Sequence, residues 1–257
     1  MEGQLSLENL ENLIHSGERL DDLQFGDMKI LQKLEGFRFG TDAVLLSGFV
    51  RARGRDRILD MGCGTGVIGL LLAGRLPLAD ITGLELQSDM AEMAQRSVEI
   101  NGLTDRMRIV QGDLRRCDEI FAPCSFDVVV MNPPYSPLGS GPVSETDAHA
   151  LARHEATCTA RDMAHAAFRL LKNGGKLFVI YPAERIYEVM DACIQERMTP
   201  KRLRLIQHSA GRAPKLLLME ASRQGKSGVM WMEPLILCEA DGSYTPEARR
   251  IYHQQEE

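Results

Sequence analysis

The chain has 257 residues, of which 44% are hydrophobic and 26% charged, and a formal net charge of −6. That length suits one α/β domain with attachments or two small domains, and the apolar share is ample for a core. The acidic balance does not announce a nucleic-acid binder, the start "MEGQLSLENL" has no basic segment leading an apolar one, and no run of about 18 apolar residues occurs, so neither a signal peptide nor a membrane-spanning helix is expected.

Residues 1–19 are acidic and expected to be helical in part. "DDLQFGDMKILQK" reads as a β-hairpin turning at Gly26-Asp27. In "FRFGTDAVLLSGFV" either Thr41 or Asp42 caps a short helix whose apolar side is Val44, Leu45 and Phe49. From Arg57 the pattern alternates strand and helix: "RILDMG", "GVIGLLLAGRL", "DITGLEL", "SDMAEMAQRSVEING", "MRIVQGD", "FDVVVMN", then a helix through "ARDMAHAAFRLLKNGG", "KLFVIYP" and "AERIYEVMDACIQER". Near-continuous apolar strands separated by helices predict a parallel sheet covered on both faces. After Pro200, "KRLRLIQH", "KLLLMEASR" and "GVMWMEPLILC" read as consecutive strands and predict an antiparallel finish. Residues 1–56 are therefore an extension (helix, hairpin, helix) on a domain over 57–257. Six scattered cysteines, Cys63, Cys117, Cys124, Cys158, Cys193 and Cys238, form no Cys-x-x-Cys pair. No zinc site is expected, and reduced thiols in a cytosolic protein fit best.

"LDMGCGTGVIG", Leu59 to Gly69, contains a dinucleotide-type Gly-x-Gly-x-x-Gly when read from Gly64. Register argues against that reading. The strand stops at Asp60 and the turn begins at Gly62, so a carboxylate stands at the mouth of the loop, where a pyrophosphate would be repelled. An NAD(P)-binding oxidoreductase is disfavoured accordingly. S-adenosylmethionine has no phosphate and carries a sulfonium and an ammonium, which a carboxylate favours. Asp-x-Gly-x-Gly-x-Gly, with Gly62, Gly64 and Gly66, resembles the first motif of class I methyltransferases. Glu85 ends the second strand, placed for ribose hydroxyls, and Gly112-Asp113 ends the third, where that family contacts the adenine amino group.

"MNPPYSP" ends the fourth strand in the same crevice, because ligands of open α/β sheets sit at the carboxyl ends of the strands. Two prolines stop a strand without needing Asn132 before them or Tyr135 after. Pro133 biases Asn132 towards an extended backbone, which makes a rigid cradle of two acceptors: the Asn132 amide oxygen and a proline carbonyl. Two acceptors suit a planar NH2 group, and Tyr135 suits stacking on its plane. The set Asn132, Pro133, Pro134 and Tyr135 resembles the signature of amino-methyltransferases acting on adenine N6, cytosine N4, guanine N2 or a glutamine amide.

"GFRFGTDAVLLSGF", "LDMGCGTGVIGLLLA", "VVMNPPY", "LARHE", "LLKNGGKLFVIYPAERIYEV" and "GRAPKLLLMEASRQGKSG" together look like the bacterial transfer RNA(Val) adenine-37 N6-methyltransferase family, over roughly residues 20–252. The resemblance implies a class I, Rossmann-like α/β fold with a mostly parallel seven-stranded sheet, antiparallel C-terminal strands, and a pre-core segment that closes over the cofactor. It also implies S-adenosyl-L-methionine as cofactor, a tRNA adenine as substrate, and Arg38, Gly40 and Thr41 on the cofactor side; in-line transfer needs no metal, and a monomer or weak dimer is expected. A release-factor glutamine methyltransferase, a ribosomal RNA guanine-N2 enzyme and a DNA adenine enzyme fit less well, for want of a separate helical domain, a longer duplicated chain and a target-recognition domain respectively.

Residues 196–226 hold eight Lys/Arg against two acids. Of these, Lys201, Arg202, Arg204, Arg212, Lys215, Arg223 and Lys226 are the expected RNA contacts. Arg51, Arg53, Arg55 and Arg57 make a second cluster. His154 and Glu155 read as structural, His165 as a helix-surface residue, and Trp231 as core within an apolar strand.

Overall fold

The computed structural model describes residue 10 and residues 12–35, 40–133 and 158–252. Its elements run β1 (Glu18–Asp22), β2 (Lys29–Lys33), α1 (Thr41–Phe49), β3 (Arg57–Met61), α2 (Val67–Arg75), β4 (Asp80–Glu85), α3 (Ser88–Ile100), β5 (Met107–Gln111), α4 (Cys117–Ile120), β6 (Phe126–Met131), α5 (Ala160–Leu170), β7 (Leu171–Pro182), α6 (Ile186–Gln195), β8 (Met198–Ser209), β9 (Leu216–Arg223), β10 (Met230–Trp231), β11 (Leu235–Cys238) and α7 (Pro246–Ile251).

Nine strands form the main sheet, in the order β10-β8-β9-β7-β6-β3-β4-β5 with β11 also paired to β8, two more than the expected seven because β10 and β11 add to the outer side of β8. The strands from β7 to β5 run parallel, and β9 lies antiparallel between β7 and β8. Alternation along the buried strands divides the core. Ile58, Val128 and Val130 face the layer of α1, α2 and α3, while Leu59, Val129 and Met131 face the layer of α5 and α6. Both faces are dry, which is why these strands read as unbroken apolar runs.

The hairpin β1–β2 forms as the sequence predicts, with Gly26 and Asp27 both at positive φ (57° each) in the turn. It docks on α3. Leu31 N–H donates to Ser97 Oγ, the Asn101 side-chain amide accepts from Lys29 N–H and donates to Lys29 O, and the buried Arg96 guanidinium grips both Glu18 and Glu92. Phe25 lies against Gly74 of α2, where a Cβ would come within 2.5 Å of its ring.

Four local expectations need correction. Gly40 is the N-cap of α1, so neither Thr41 nor Asp42 caps it. The helix predicted to reach Gly174-Gly175 ends at Leu170, because Leu171 already pairs with Phe126; residues 172–175 are looped out before Lys176 rejoins β6 opposite Val128. The run "GVMWMEPLILC" is two strands, broken at Pro234, which has no N–H for a ladder. Both pair with β8 in parallel, since the chain leaves β9 at the lower end of the sheet and passes beneath β8 before rising beside it. Trp231 is consequently 58% exposed on the sheet edge and is no part of the core.

Arg202 is buried. Its guanidinium pairs with the buried Glu220 and stands 4.5 Å above the Phe49 ring, tying β8, β9 and α1 together. Removing one partner of a buried pair costs about 3–5 kcal/mol where the other charge is left alone; Lys176 also reaches Glu220, at 3.1 Å, which puts the cost here at the lower end of that range. Arg202→Ala should lower the urea midpoint by that much stability, whereas the exposed Lys226→Ala should leave it unmoved.

Candidate active site at the carboxyl ends of the strands

β3, β4, β5 and β6 are parallel neighbours, so their carboxyl ends meet along one edge. Side-chain alternation then decides what points where. Asp60 shares the face of Ile58 and Glu85 that of Ile81. Asp60 and Glu85 fall on the α2–α3 side of the sheet, and Asp113 and Asn132 follow the ends of β5 and β6, giving the order Asp113, Glu85, Asp60, Asn132 along the edge. At the usual strand spacing the row is about 14 Å long.

The turn after β3 is built for close approach. Gly62, Gly64 and Gly66 sit at φ 72°, 55° and 87°, left-handed values that a side chain would strain. Gly62 and Cys63 N–H both donate to Leu84 O (2.8 and 3.0 Å), folding the turn over the end of β4. Glu85 locks it there: one carboxylate oxygen accepts from Gly64 N–H and the other from Gln87 N–H, each at 2.9 Å. Each oxygen keeps a second lone pair for a ligand hydroxyl.

Asp60 is fully buried. Its Oδ2 accepts from Gly69 N–H at 3.0 Å, near the start of α2, and its Oδ1 has no partner. Burial pushes its pKa up to about 7, with the nearby Glu85 charge adding to the effect against the Gly69 bond. The same burial and the same two carboxylates push the Cys63 thiol well above its ordinary range, so it stays protonated and is no nucleophile. A buried acceptor without a donor is costly unless a ligand meets it. An unpartnered carboxylate oxygen at this turn therefore suits a cationic ligand better than a phosphate.

At β5, Asp113 is held by Arg115, which donates from its backbone and its guanidinium and keeps the carboxyl below its ordinary pKa. A Cβ at Gly112 would lie 2.5 Å from Ile120 Cδ1, so that side chain would have to shift to admit it. Asn132 is half-buried and Pro133 buried; Arg38, Pro134, Tyr135, His154 and Glu155 lie outside the described residues. Gly40 and Thr41 open α1, which packs on α2, and the Thr41 hydroxyl bonds the Tyr252 phenol. His165 lies on a helix surface as expected, 2.9 Å from Glu196. Among the described residues His15, Glu18 and Glu92 have metal-ligand spacing, but Arg96 already neutralises both carboxylates.

The expected RNA contacts do not form one face. Arg202 spends its charge on Glu220, and Arg204 makes a two-pronged pair with Glu247 (2.8 and 2.7 Å), so both are structural. Arg212 and Lys215 are exposed in the turn between β8 and β9, beside the carboxyl end of β7, where Ala183 N–H donates to Lys215 O. Lys201, Arg223 and Lys226 stand at the opposite end of the sheet, as do Arg51, Arg53, Arg55 and Arg57.

A parallel sheet in this order, a left-handed glycine turn beneath a buried carboxylate, and an Asn-Pro at the next strand end define a class I methyltransferase. The methyltransferase small domain model matches residues 37–202. The tRNA1(Val) (adenine(37)-N6)-methyltransferase of Tolumonas auensis is 30% identical over 87% of this chain and 91% of its own. The Porphyromonas gingivalis protein of that name is 30% identical over 90% and 93%. A crystal structure described as a predicted O-methyltransferase from Agrobacterium tumefaciens superposes with a TM-score of 0.69 at 26% identity, covering 82% of this chain and 95% of that one. The chain belongs to the tRNA1(Val) (adenine(37)-N6)-methyltransferase family, and S-adenosyl-L-methionine is its methyl donor.

The Asp60 shift has a measurable consequence. An unfolded chain ionises this group near its ordinary 3.8, the folded chain only near 7. Between those values the folded state holds a proton the unfolded state has lost, so raising the pH drains stability, and the loss is complete above about 7. Urea unfolding of the ligand-free protein should show this decline across pH 4–7, and Asp60→Asn should remove it. Parallel pH curves for the two proteins would refute the assignment.

Proposed function

We propose that the chain methylates the exocyclic N6 of an unpaired adenine in a transfer RNA, adenine 37 of the anticodon loop of tRNA(Val) being the best-supported target. The observation that carries this reading is the position of Asn132, which follows β6 one strand from Asp60, two residues beyond the Val130 that pairs with it. The relatives' shared name supplies the substrate. The donor supplies an electrophilic methyl group when bound.

Asp60 answers the donor's positive charge. Glu85 offers its remaining lone pairs to the ribose hydroxyls, and Asp113 with Gly112 borders the adenine end. Gly62, Gly64 and Gly66 let the backbone approach. Arg38, Gly40 and Thr41 belong to the extension over residues 1–56, which closes on the cofactor side. An exocyclic amine is a poor nucleophile because its lone pair is delocalised into the ring. Accepting both its hydrogens, at the Asn132 amide oxygen and a proline carbonyl of Pro133-Pro134, favours a pyramidal nitrogen and tolerates its growing positive charge. Tyr135 stacks on the base. Positioning carries the remainder, and orientation alone supplies about 7–11 kcal/mol in well-aligned reactions. The alkylated nitrogen gives its proton to water.

An unpaired loop base is cheaper to splay than a duplex one. Arg212 and Lys215 flank the crevice and hold phosphates of the entering loop. We place the protein with the tRNA pool in the cytoplasm, as a monomer or weak dimer; among the described residues no helix is long and apolar enough to cross a membrane.

Methyl label should pass from the donor into bulk tRNA and not into a release factor; the reverse would transfer the cradle to a glutamine amide. Asn132→Ala should cut turnover by about a hundredfold or more while leaving S-adenosylhomocysteine affinity intact. Alanine at both Arg212 and Lys215 should weaken tRNA binding and flatten its salt dependence by between one and two units of log–log slope.

A further inference from the structure

The chain has a single tryptophan, and it lies on the surface. Trp231 is 58% exposed, next to Met230 at 62% and Val229 at 42%. These three residues follow the crossing beneath β8 and form its outer edge, where Met230 and Trp231 pair with Arg202 and Leu203. Three consecutive large apolar side chains in water gain nothing for the monomer and mark a contact surface.

Its surroundings say what kind. Lys226 is exposed, and the Lys201 ammonium sits under the same turn, donating to Lys226 O and Gly228 O at 3.0 and 2.9 Å with a third donor to spare. Arg223 begins the crossing but turns its guanidinium inward, onto Leu171 O and the Phe168 ring, so Lys201 and Lys226 are the cations here; from Ala221 to Met232 the chain carries no acid, and Glu233 is the first. An exposed aromatic among cations is the composition that stacks a nucleobase while holding its phosphates.

The location separates this surface from the active-site crevice. Trp231 is level with Leu203, and β8 continues to Ser209 before the Arg212–Lys215 turn. That is about 20 Å of strand, so one nucleotide cannot serve both places. We infer that the Val229–Trp231 edge is a second RNA contact, at which Trp231 stacks on an unpaired base of the substrate RNA remote from the methylated one, with Lys226 and Lys201 on the adjoining phosphates. This inference rests on the RNA-methylating reading above.

The lone tryptophan reports on itself. Titrating the full chain, saturated with S-adenosylhomocysteine, with an unmodified tRNA transcript at low salt should quench Trp231 emission saturably, and added salt should reverse the quenching. Trp231→Ala should raise KM for tRNA about five- to hundredfold, the range expected for one lost base stack, with kcat at saturating tRNA and S-adenosylhomocysteine affinity unchanged. Trp231→Phe, which keeps a stacking face, should recover most of that loss. Unchanged emission while filter binding shows tRNA bound, together with an unchanged KM in Trp231→Ala, would overturn the inference. So would an emission shift that follows protein concentration without RNA, because a second copy would then cover the edge. Failure of the wild-type protein to methylate any tRNA counts against the functional reading alone, and the fluorescence titration then decides the edge by itself.

Discussion

Asp60 and Asn132 stand on neighbouring parallel strands, and the pairing of Asp60 with Val130 sets how far apart they are. Because strands in a parallel sheet all point the same way, that one register brings Asp60 and Asn132 to the same edge. A slip of one residue between β3 and β6 would turn the side chains of β6 to the other side of the sheet. The unbroken apolar faces of both strands prevent it, since every slipped position would still have to match two packed helical layers.

The same edge shows what function costs the fold. Asp60 is a buried carboxylate with one oxygen unpartnered and a pKa near 7, beside a second carboxylate at Glu85. Nothing in packing asks for it, and a neutral residue would serve the core better. Arg202 and Glu220 are the contrast: they too are buried charges, but each satisfies the other and together they hold three elements. Glu85 lies between these cases. Its two bonds to Gly64 and Gln87 stiffen the glycine turn before any ligand arrives, so less ordering remains for binding to accomplish.

Much of this was legible in the sequence, for reasons that can be stated. The strands β3 to β6 announce themselves because a two-sided parallel sheet makes continuous apolar runs, and the glycine turn and Asn132-Pro133 stand out because they break those runs. What the sequence could not show is which charges are spent. Arg202 and Arg204 look the same in a string as Arg212, yet Glu220 and Glu247, far along the chain, consume the first two. Lys201 and Lys215 sit in one basic stretch but at opposite ends of the sheet, because β8 carries the chain from one end to the other. Trp231 reads as core from its apolar neighbours, but the direction in which the chain leaves β9 puts it on an edge. Arg115 and Gln87, which position Asp113 and Glu85, have no local signal at all.

The central claim is that this edge presents an exocyclic amine to the methyl donor. Its most direct test is the chemical identity of the product: nucleosides released from tRNA after incubation with the protein and S-adenosyl-L-methionine, separated and identified by mass. An amine acceptor site together with the relatives' shared name predicts N6-methyladenosine. A methyl group found on a ring nitrogen, a ring carbon or a ribose oxygen would contradict it, since none of these has two hydrogens for Asn132 and its neighbouring carbonyl to accept.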